Sequence, residues 1–407
     1  MTSPLSENLK TVIRPVQYRD LEAIKVLATQ SFETEDGGDI GAIAKRIQNL
    51  QRWYGLLKFL SLFPNPYQHN LSLFVAEQQQ HLLGAIEVCP FNSSRSTWRV
   101  KRVFAQGSAF STQMEVGSQL VRHCLERIWE ARTWLLEVDV NHKSTLALYR
   151  QSGFQPLAQL TYWGIAPELL EELAQHEPDL PNLLPVSNAD APLLYQLDTV
   201  SMPPLLRQVF DRHIQDFKTN LISSLLSPIK HWFSHTEVIT SYVFEPQRKA
   251  AIGYFELEVC HDGTQPHKAE LTVHPAYTWL YPELLSKMAQ IVQEMPPQAL
   301  QLASADYQPE REEYLEQLGA KRIQHTLLMS RSVWHKLKEA KPVSLEGLQL
   351  SEVLQGLQPA RTPIPSRMSW LHNKSNKSHS SKTHKDSHSA SISPMVKQDE
   401  EKPSSDE

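Results

Sequence analysis

The chain has 407 residues, 41% hydrophobic and 21% charged, which suits two globular domains with tails better than one core. Its formal charge of −5 argues against a general nucleic-acid partner, whose binder presents a basic surface. Cys89, Cys124 and Cys260 lie far apart with no CxxC pair, which argues against a disulfide framework or structural zinc site and for reduced thiols.

Residues 1–10 form a polar arm without the apolar core of a signal peptide, so a cytoplasmic protein is expected. A short strand at 11–16 leads to a helix at about 20–31. Asp20 is its N-cap, and Leu21, Ile24, Val26 and Leu27 recur at helical spacing. A second helical region at 40–60 ends at Pro64 and Pro66. Its most apolar part, 54–64, carries Lys58 and is too short to cross a bilayer, so no membrane partner is expected. Strands at 71–77 and 82–88 flank the polar 78–81, a hairpin signal. A further strand at 98–104 precedes an irregular loop. From Val116 the period changes, and Val116, Leu120, Val121, Cys124 and Ile128 share one helical face. Trp134, Leu136, Val138 and Val140 then alternate with Leu135, Glu137 and Asp139, as in a strand buried mainly on one face. A short helix at 144–151 is closed by Gly153, and a strand at 161–165 completes the order β-α-α-β-β-β-α-β-α-β.

After a proline-containing break at 178–185 the order repeats. Helices are expected at 189–200 and 205–226, strands at 237–244, 251–259 and 269–273, then a helix at 282–294, a strand at 299–303, a helix at 310–318 and a strand at 325–330. Gly319 follows its helix as Gly153 follows the earlier one, and an internal duplication is the economical account. The expected division is an arm (1–10), a first domain (11–170), a linker (171–185), a second domain (186–335), a connecting segment (336–358) and a tail (359–407). That tail is rich in Ser, Lys and His, too polar to offset its ordering entropy, and expected to be disordered. Its histidines read as solvated, and no metal site is expected.

Residues 136–154 read LEVDVNHKSTLALYRQSGF. This resembles the last strand-and-helix motif of the GNAT (GCN5-related) acetyltransferases, where an L-E-V strand leads through Asn to A-x-x-L-Y-x-x-x-G-F. Ile13, Arg14 and Pro15 with Asp20 are similar to the family's opening, and residues 115–121 to the end of its pyrophosphate loop, Q/R-x-x-G-x-G/A. The resemblance covers about residues 11–165. It implies an α/β fold of two tandem GNAT-like domains, each a mixed, mostly antiparallel twisted sheet flanked by helices. It also implies acetyl-CoA as cosubstrate, an amine-bearing small molecule or peptide as acceptor, and direct attack of that amine on the thioester. Tyr149 is then the acid at the departing sulfur. Contacts to acetyl-CoA fall at Val103, Phe104, Gln113, Val116, Gly117, Ser118, Asn141 and Ser144. Glu87 is the carboxylate candidate for the base, since no Asp or Glu lies between it and Glu115.

Gly117 suits a pyrophosphate because N–H groups at a helix start bind anions, and a side chain would hold the phosphate away. Glu115 and Thr112 depart from the family's pattern. A carboxylate about 6 Å from a phosphate charge costs roughly 3 kcal/mol at an effective dielectric near 20. Arg99, Lys101, Arg102 and Arg122 are the cations at hand to compensate. Asn141 stands one residue further from Tyr149 than the family's spacing, where His142 sits. The second copy has no glycine across 278–282 and has Leu315 where a tyrosine would answer Tyr149, so it reads as structural. Two function classes follow: an N-acetyltransferase working in the first domain, or a non-catalytic acyl-CoA-binding or protein-interaction module on the same fold.

Overall fold

Twelve strands join in one sheet in the computed structural model, which describes residues 11–35, 72–79, 81–106, 110–218 and 236–334 with isolated positions between 48 and 55. The strands are β1 Val12–Pro15, β2 Leu73–Gln78, β3 His81–Pro90, β4 Thr97–Ala105, β5 Thr133–Asp139, β6 Gln155–Ile165, β7 Leu183–Pro185, β8 Thr236–Glu245, β9 Ala250–Cys260, β10 His267–Val273, β11 Leu300–Ala305 and β12 Lys321–Ser332. Between them lie α1 Asp20–Glu35, α2 Phe110–Arg127, α3 Lys143–Gln151, α4 Pro167–Gln175, α5 Ala191–Ser201, α6 Pro204–Phe210, α7 Leu280–Val292 and α8 Pro309–Gln317. Among these neighbours only β4–β5 and β10–β11 run parallel.

The strand order is β1-β2-β3-β4-β5-β12-β6-β11-β10-β9-β8-β7. Exchanging each of β1–β6 with the strand six places later returns the same order read backwards. The sheet therefore has the pseudo-twofold symmetry that an internal duplication produces. It also differs from two sheets laid end to end: β12 enters between β5 and β6, and β6 reaches across to β11. The halves exchange their last strands, so their backbone hydrogen bonds are shared.

Apolar residues on alternate positions drive this layering. Val116, Leu120 and Val121 of α2 and Leu146, Leu148 and Tyr149 of α3 pack on Trp98, Val100, Trp134, Leu136 and Val138. Leu21, Ile24 and Leu27 of α1 cover Val75, Ala85 and Phe104 in a separate cluster. In the second half, Leu280, Leu284 and Met288 of α7 and Leu170 of α4 close over Phe255, Leu257, Leu271 and Leu302. Gly153 and Gly319 stand at φ +83° and +84°, the left-handed stop expected after each short helix.

Three elements depart from expectation. The helix expected at 205–226 ends at Phe210, because Asp211 turns left-handed at φ 45° and tertiary bonds take over. Asn92 Nδ2 donates to the Phe210 and Asp211 carbonyls at 3.1 and 2.8 Å, and Ser96 Oγ donates to Asp211 Oδ2 at 2.5 Å. β6 begins at Gln155, six residues before the expected strand, since it has partners on both edges that outweigh its polar residues. The helix α2 starts at Phe110 rather than near Val116. The helix expected at 40–60, the arm at 1–10, the segment 336–358 and the tail lie outside the described residues.

Asp20 opens α1, and its carboxylate is held by other groups than an N-cap's. It accepts from Arg14 Nη1 at 2.6 Å, Arg14 Nη2 at 2.9 Å and the Gln17 N–H at 2.7 Å, while Arg14 Nε reaches Glu77 at 2.6 Å. Burial pushes the Asp20 pKa up, but these bonds outweigh it and hold the carboxyl below the usual range. A lowered folded pKa contributes stability above the unfolded value near 3.9, and that contribution is lost as pH falls through the folded value. Asp20→Asn is therefore expected to cost about 2 kcal/mol at pH 7. In urea melts the gap to the unmodified protein narrows as pH approaches 3.

Candidate active site

β4 and β5 pair only from Thr97 opposite Thr133 to Val100 opposite Leu136. Beyond that point β4 follows β3 to Ala105, while β5 follows β12 to Asp139. Two parallel strands that part leave backbone N–H and C=O groups facing a gap, and these need water or a ligand. A cavity of 1120 Å³ opens there, lined in the first half by Arg102, Val103, Phe104, Glu137, Asp139 and Tyr149 among others, and it runs on along the sheet to Leu271, Ala303 and Arg311 of the second half.

The gap brings together groups from both faces of the sheet. Leu136 and Val138 pack on the same side as Tyr149, and Glu137 between them points to the other side. Tyr149 is 4% exposed, with its ring edge-on to Phe154 at 5.8 Å between centroids. Burial raises its phenol pKa well above the ordinary value. Its hydroxyl has no hydrogen-bond partner among the described residues.

Glu137 is held by three donors. Arg99 Nη2 reaches Oε2 at 2.8 Å, and Oε1 accepts from Tyr162 at 2.6 Å and Thr326 at 2.8 Å. Burial, followed by the Glu137 charge, pushes the Tyr162 phenol pKa up, so Tyr162 stays a donor. Thr326 is on β12, so the second half's exchanged strand helps to orient a carboxylate of the first. Met202, Phe210 and Arg212 form part of the opposite wall, with Arg212 paired to Asp198 at 2.8 Å.

The sequence-derived site residues fall into three groups. Val103, Phe104 and Tyr149 line the cavity. Gln113 sits in the first turn of α2, Ser144 in the first turn of α3, and Asn141 in the turn before α3 with its N–H bonded to Asp139 Oδ1 at 2.8 Å. Val116, Gly117 and Ser118 do not begin a helix: they lie two turns inside α2, where their N–H groups face preceding carbonyls. A Cβ on Gly117 would stand 2.9 Å from Leu148 Cδ2, so its missing side chain is explained by the close approach of α2 to α3. Glu115 is likewise on the helix, exposed and bonded to Gln119 at 3.2 Å. The repulsion expected of it toward a phosphate therefore does not arise at the helix start.

Glu87 stands elsewhere. It lies 3.6 Å from Lys101 Nζ on the β3–β4 ladder and is not among the cavity's lining residues. The carboxylates that do line it are Glu137 and Asp139 of the first half and Asp198, Glu256, Glu258 and Glu270 of the second, and Glu137 is the one held by three donors across β4, β6 and β12. Sequence reasoning passed over Glu137 as the polar side of a strand, although a Glu between Leu136 and Val138 was the available signal. It also passed over the true helix start. Gln106, Ala109 and Ser111 fit Q/R-x-x-G-x-G/A with small residues in the glycine places, directly before and within the first turn of α2. Among the described residues no cluster of His, Cys, Asp or Glu is arranged to hold a metal, and no helix is long and apolar enough to cross a membrane.

Among solved structures, a tandem GNAT protein from the clavulanic acid biosynthesis pathway, in its form without AcCoA, matches with 12% identity and a TM-score of 0.50. The match covers 81% of this chain and 100% of that one. The chain has the tandem GNAT fold. A GCN5-related N-acetyltransferase from Sphaerobacter thermophilus matches with 12% identity over 80% of this chain and 97% of its own, at a TM-score of 0.48. No protein-family model matches the sequence, and no curated protein does. At such identity the GNAT likeness is one of fold, and the chemistry must be argued from the site.

Proposed function

We propose that the chain is an N-acetyltransferase that takes acetyl-CoA into the gap between β4 and β5 and an amine acceptor from the side of Glu137. The parting of β4 and β5 into a cavity reached by both Tyr149 and Glu137 carries this reading. The residues suit acetyl-CoA. Its arm contains amides, which can pair along the edge that β4 turns to the gap once its pairing with β5 ends at Val100. Its pyrophosphate suits the N-terminus of α2, the positive end of the helix dipole, with Arg102 in the cavity wall. When bound, acetyl-CoA supplies an activated acyl thioester.

The chain's own part is proton handling and placement. Glu137, fixed by Arg99, Tyr162 and Thr326, receives the proton that the acceptor nitrogen loses as its new bond to the acyl carbon forms. Tyr149 donates a hydrogen bond to the sulfur as the carbon–sulfur bond breaks. Proton and thiolate are thus separated on opposite faces of the sheet. Raised as it is, the Tyr149 phenol transfers its proton to a thiolate only uphill, which favours donation over full transfer. That same observation supports the second reading, a module that binds acyl-CoA without turnover.

Calorimetric titration with acetyl-CoA tests the placement. One molecule per chain is expected to bind, and Ser111→Glu, in the exposed first turn of α2, to weaken it about tenfold or more by charge repulsion. A carboxylate there favours the helix itself, so the fold is preserved. Equal affinity in the two proteins would remove the α2 N-terminus from the site. Binding without turnover across a panel of amines and peptides would select the second reading.

A further inference from the structure

The second half has a gap of its own. β10 and β11 pair in parallel only from His267 opposite Leu300 to Ala269 opposite Leu302. β10 then continues along β9 to Val273, and β11 along β6 to Ala305. By the pseudo-twofold this is the counterpart of the β4–β5 gap.

A side chain stands in it. Arg311 of α8 precedes Gly319 by as many residues as Thr145 of α3 precedes Gly153. Its Nη2 donates to the Leu271 carbonyl at 2.5 Å and its Nη1 to the Ala303 carbonyl at 3.0 Å. These carbonyls sit on β10 and β11 just past their last paired residues. The guanidinium also lies 5.5 Å from the centre of the Tyr281 ring, at the start of α7. Arg311 thus ties two diverging strands and the helix that follows the first of them, the counterparts of β4, β5 and α2.

The energetics single this residue out. Arg311 is 5% exposed, and no carboxylate among the described residues offsets its charge. Burial pulls its pKa below the ordinary guanidinium value. Only Nε is left without a partner. A buried cation without a counter-ion is costly, as are unpaired carbonyls where strands part. Each of these costs is offset by the other.

We propose that the second gap is a guanidinium site whose resident ligand is Arg311, which takes the carbonyls an acyl-CoA arm would need and leaves the chain one acyl-CoA site. The count of one rests on the reading of the first gap given above, whereas the guanidinium site does not, and the experiment keeps them apart. Arg311→Ala is expected to melt about 5 °C or more below the unmodified protein. Free guanidinium at about 20 mM should recover a substantial part of that loss by filling the vacated site, while sodium chloride at the same concentration does not. An alanine variant that guanidinium fails to rescue would overturn the proposal. Should the alanine variant not fold, Arg311→Lys decides: one ammonium cannot bridge both carbonyls in the same way, so a lower melting temperature is expected. A lysine variant as stable as the unmodified protein would overturn it. In the acetyl-CoA titration, two molecules per chain would also overturn it. Binding of none would sink the reading of the first gap and leave the guanidinium rescue to decide the second.

Discussion

Replacing Tyr149 by phenylalanine is expected to lower turnover about a hundredfold while leaving acetyl-CoA affinity within about twofold. The phenol hydroxyl has no partner among the described residues and lines the cavity, so its removal orphans no buried group. Its ring keeps the same contacts with Phe154 and the α3 core, so stability should be unchanged to within about 0.5 kcal/mol. On the proposed reading the variant loses a donor to the sulfur on which negative charge develops. Such donors are worth about a hundredfold or more in rate. The sign of the pKa shift adds a second expectation. Because burial raises the phenol pKa, Tyr149 stays protonated throughout the range of an ordinary assay, and no alkaline loss of activity should trace to it. Release of CoA thiol, followed from neutral pH to about pH 10 in both proteins, checks both points. An unchanged rate would remove Tyr149 from the chemistry. A parallel loss of binding would make it a wall of the acetyl-CoA site instead.

Much of this architecture is legible in the residues, and the exceptions share a cause. The run 136–154 reads correctly as strand, turn, helix and left-handed glycine because each step is local: alternation in β5, helical spacing in α3, φ +83° at Gly153. The repeat reads through the same signals. The start of α2 does not, because Ser111, Thr112 and Gln113 are weak or polar helix residues and the apolar period begins only at Val116. Gly117, an obvious phosphate residue by analogy, is a packing residue against Leu148, thirty-one positions away and invisible to local pattern. Strand exchange is equally non-local. Nothing in 321–332 announces that it will lie between β5 and β6, since any alternating strand satisfies the same periodicity. The carboxylate proposed as base is hidden for that reason, as one of its three partners, Thr326, arrives on the exchanged strand.

Glu137→Gln should cost turnover at least as much as the tyrosine change, about a hundredfold or more, and for a different physical reason. The amide is the same size, and its carbonyl oxygen can still accept from Tyr162 and Thr326. Its NH₂ then faces the Arg99 guanidinium, where two donors meet and the 2.8 Å bond is lost. A modest destabilisation of about 1–2 kcal/mol is expected from that mismatch, far short of unfolding. The larger effect is chemical, since an amide cannot take the proton that the attacking nitrogen releases. Affinity for acetyl-CoA should hold, because the three anchoring bonds place Glu137 on the acceptor's side of the gap. Arg99→Ala separates holding from reacting: it leaves the carboxylate in place on two hydroxyl donors, so turnover should fall several-fold rather than a hundredfold. Thr326→Val tests the exchanged strand in the same way, removing one hydroxyl donor from the second half and loosening a carboxylate in the first. If Glu137→Gln turned over within about threefold of the unmodified protein, proton removal would have to rest on another carboxylate of the cavity wall, such as Asp139, or on water, and Glu137 would be a structural tie between β4, β5, β6 and β12.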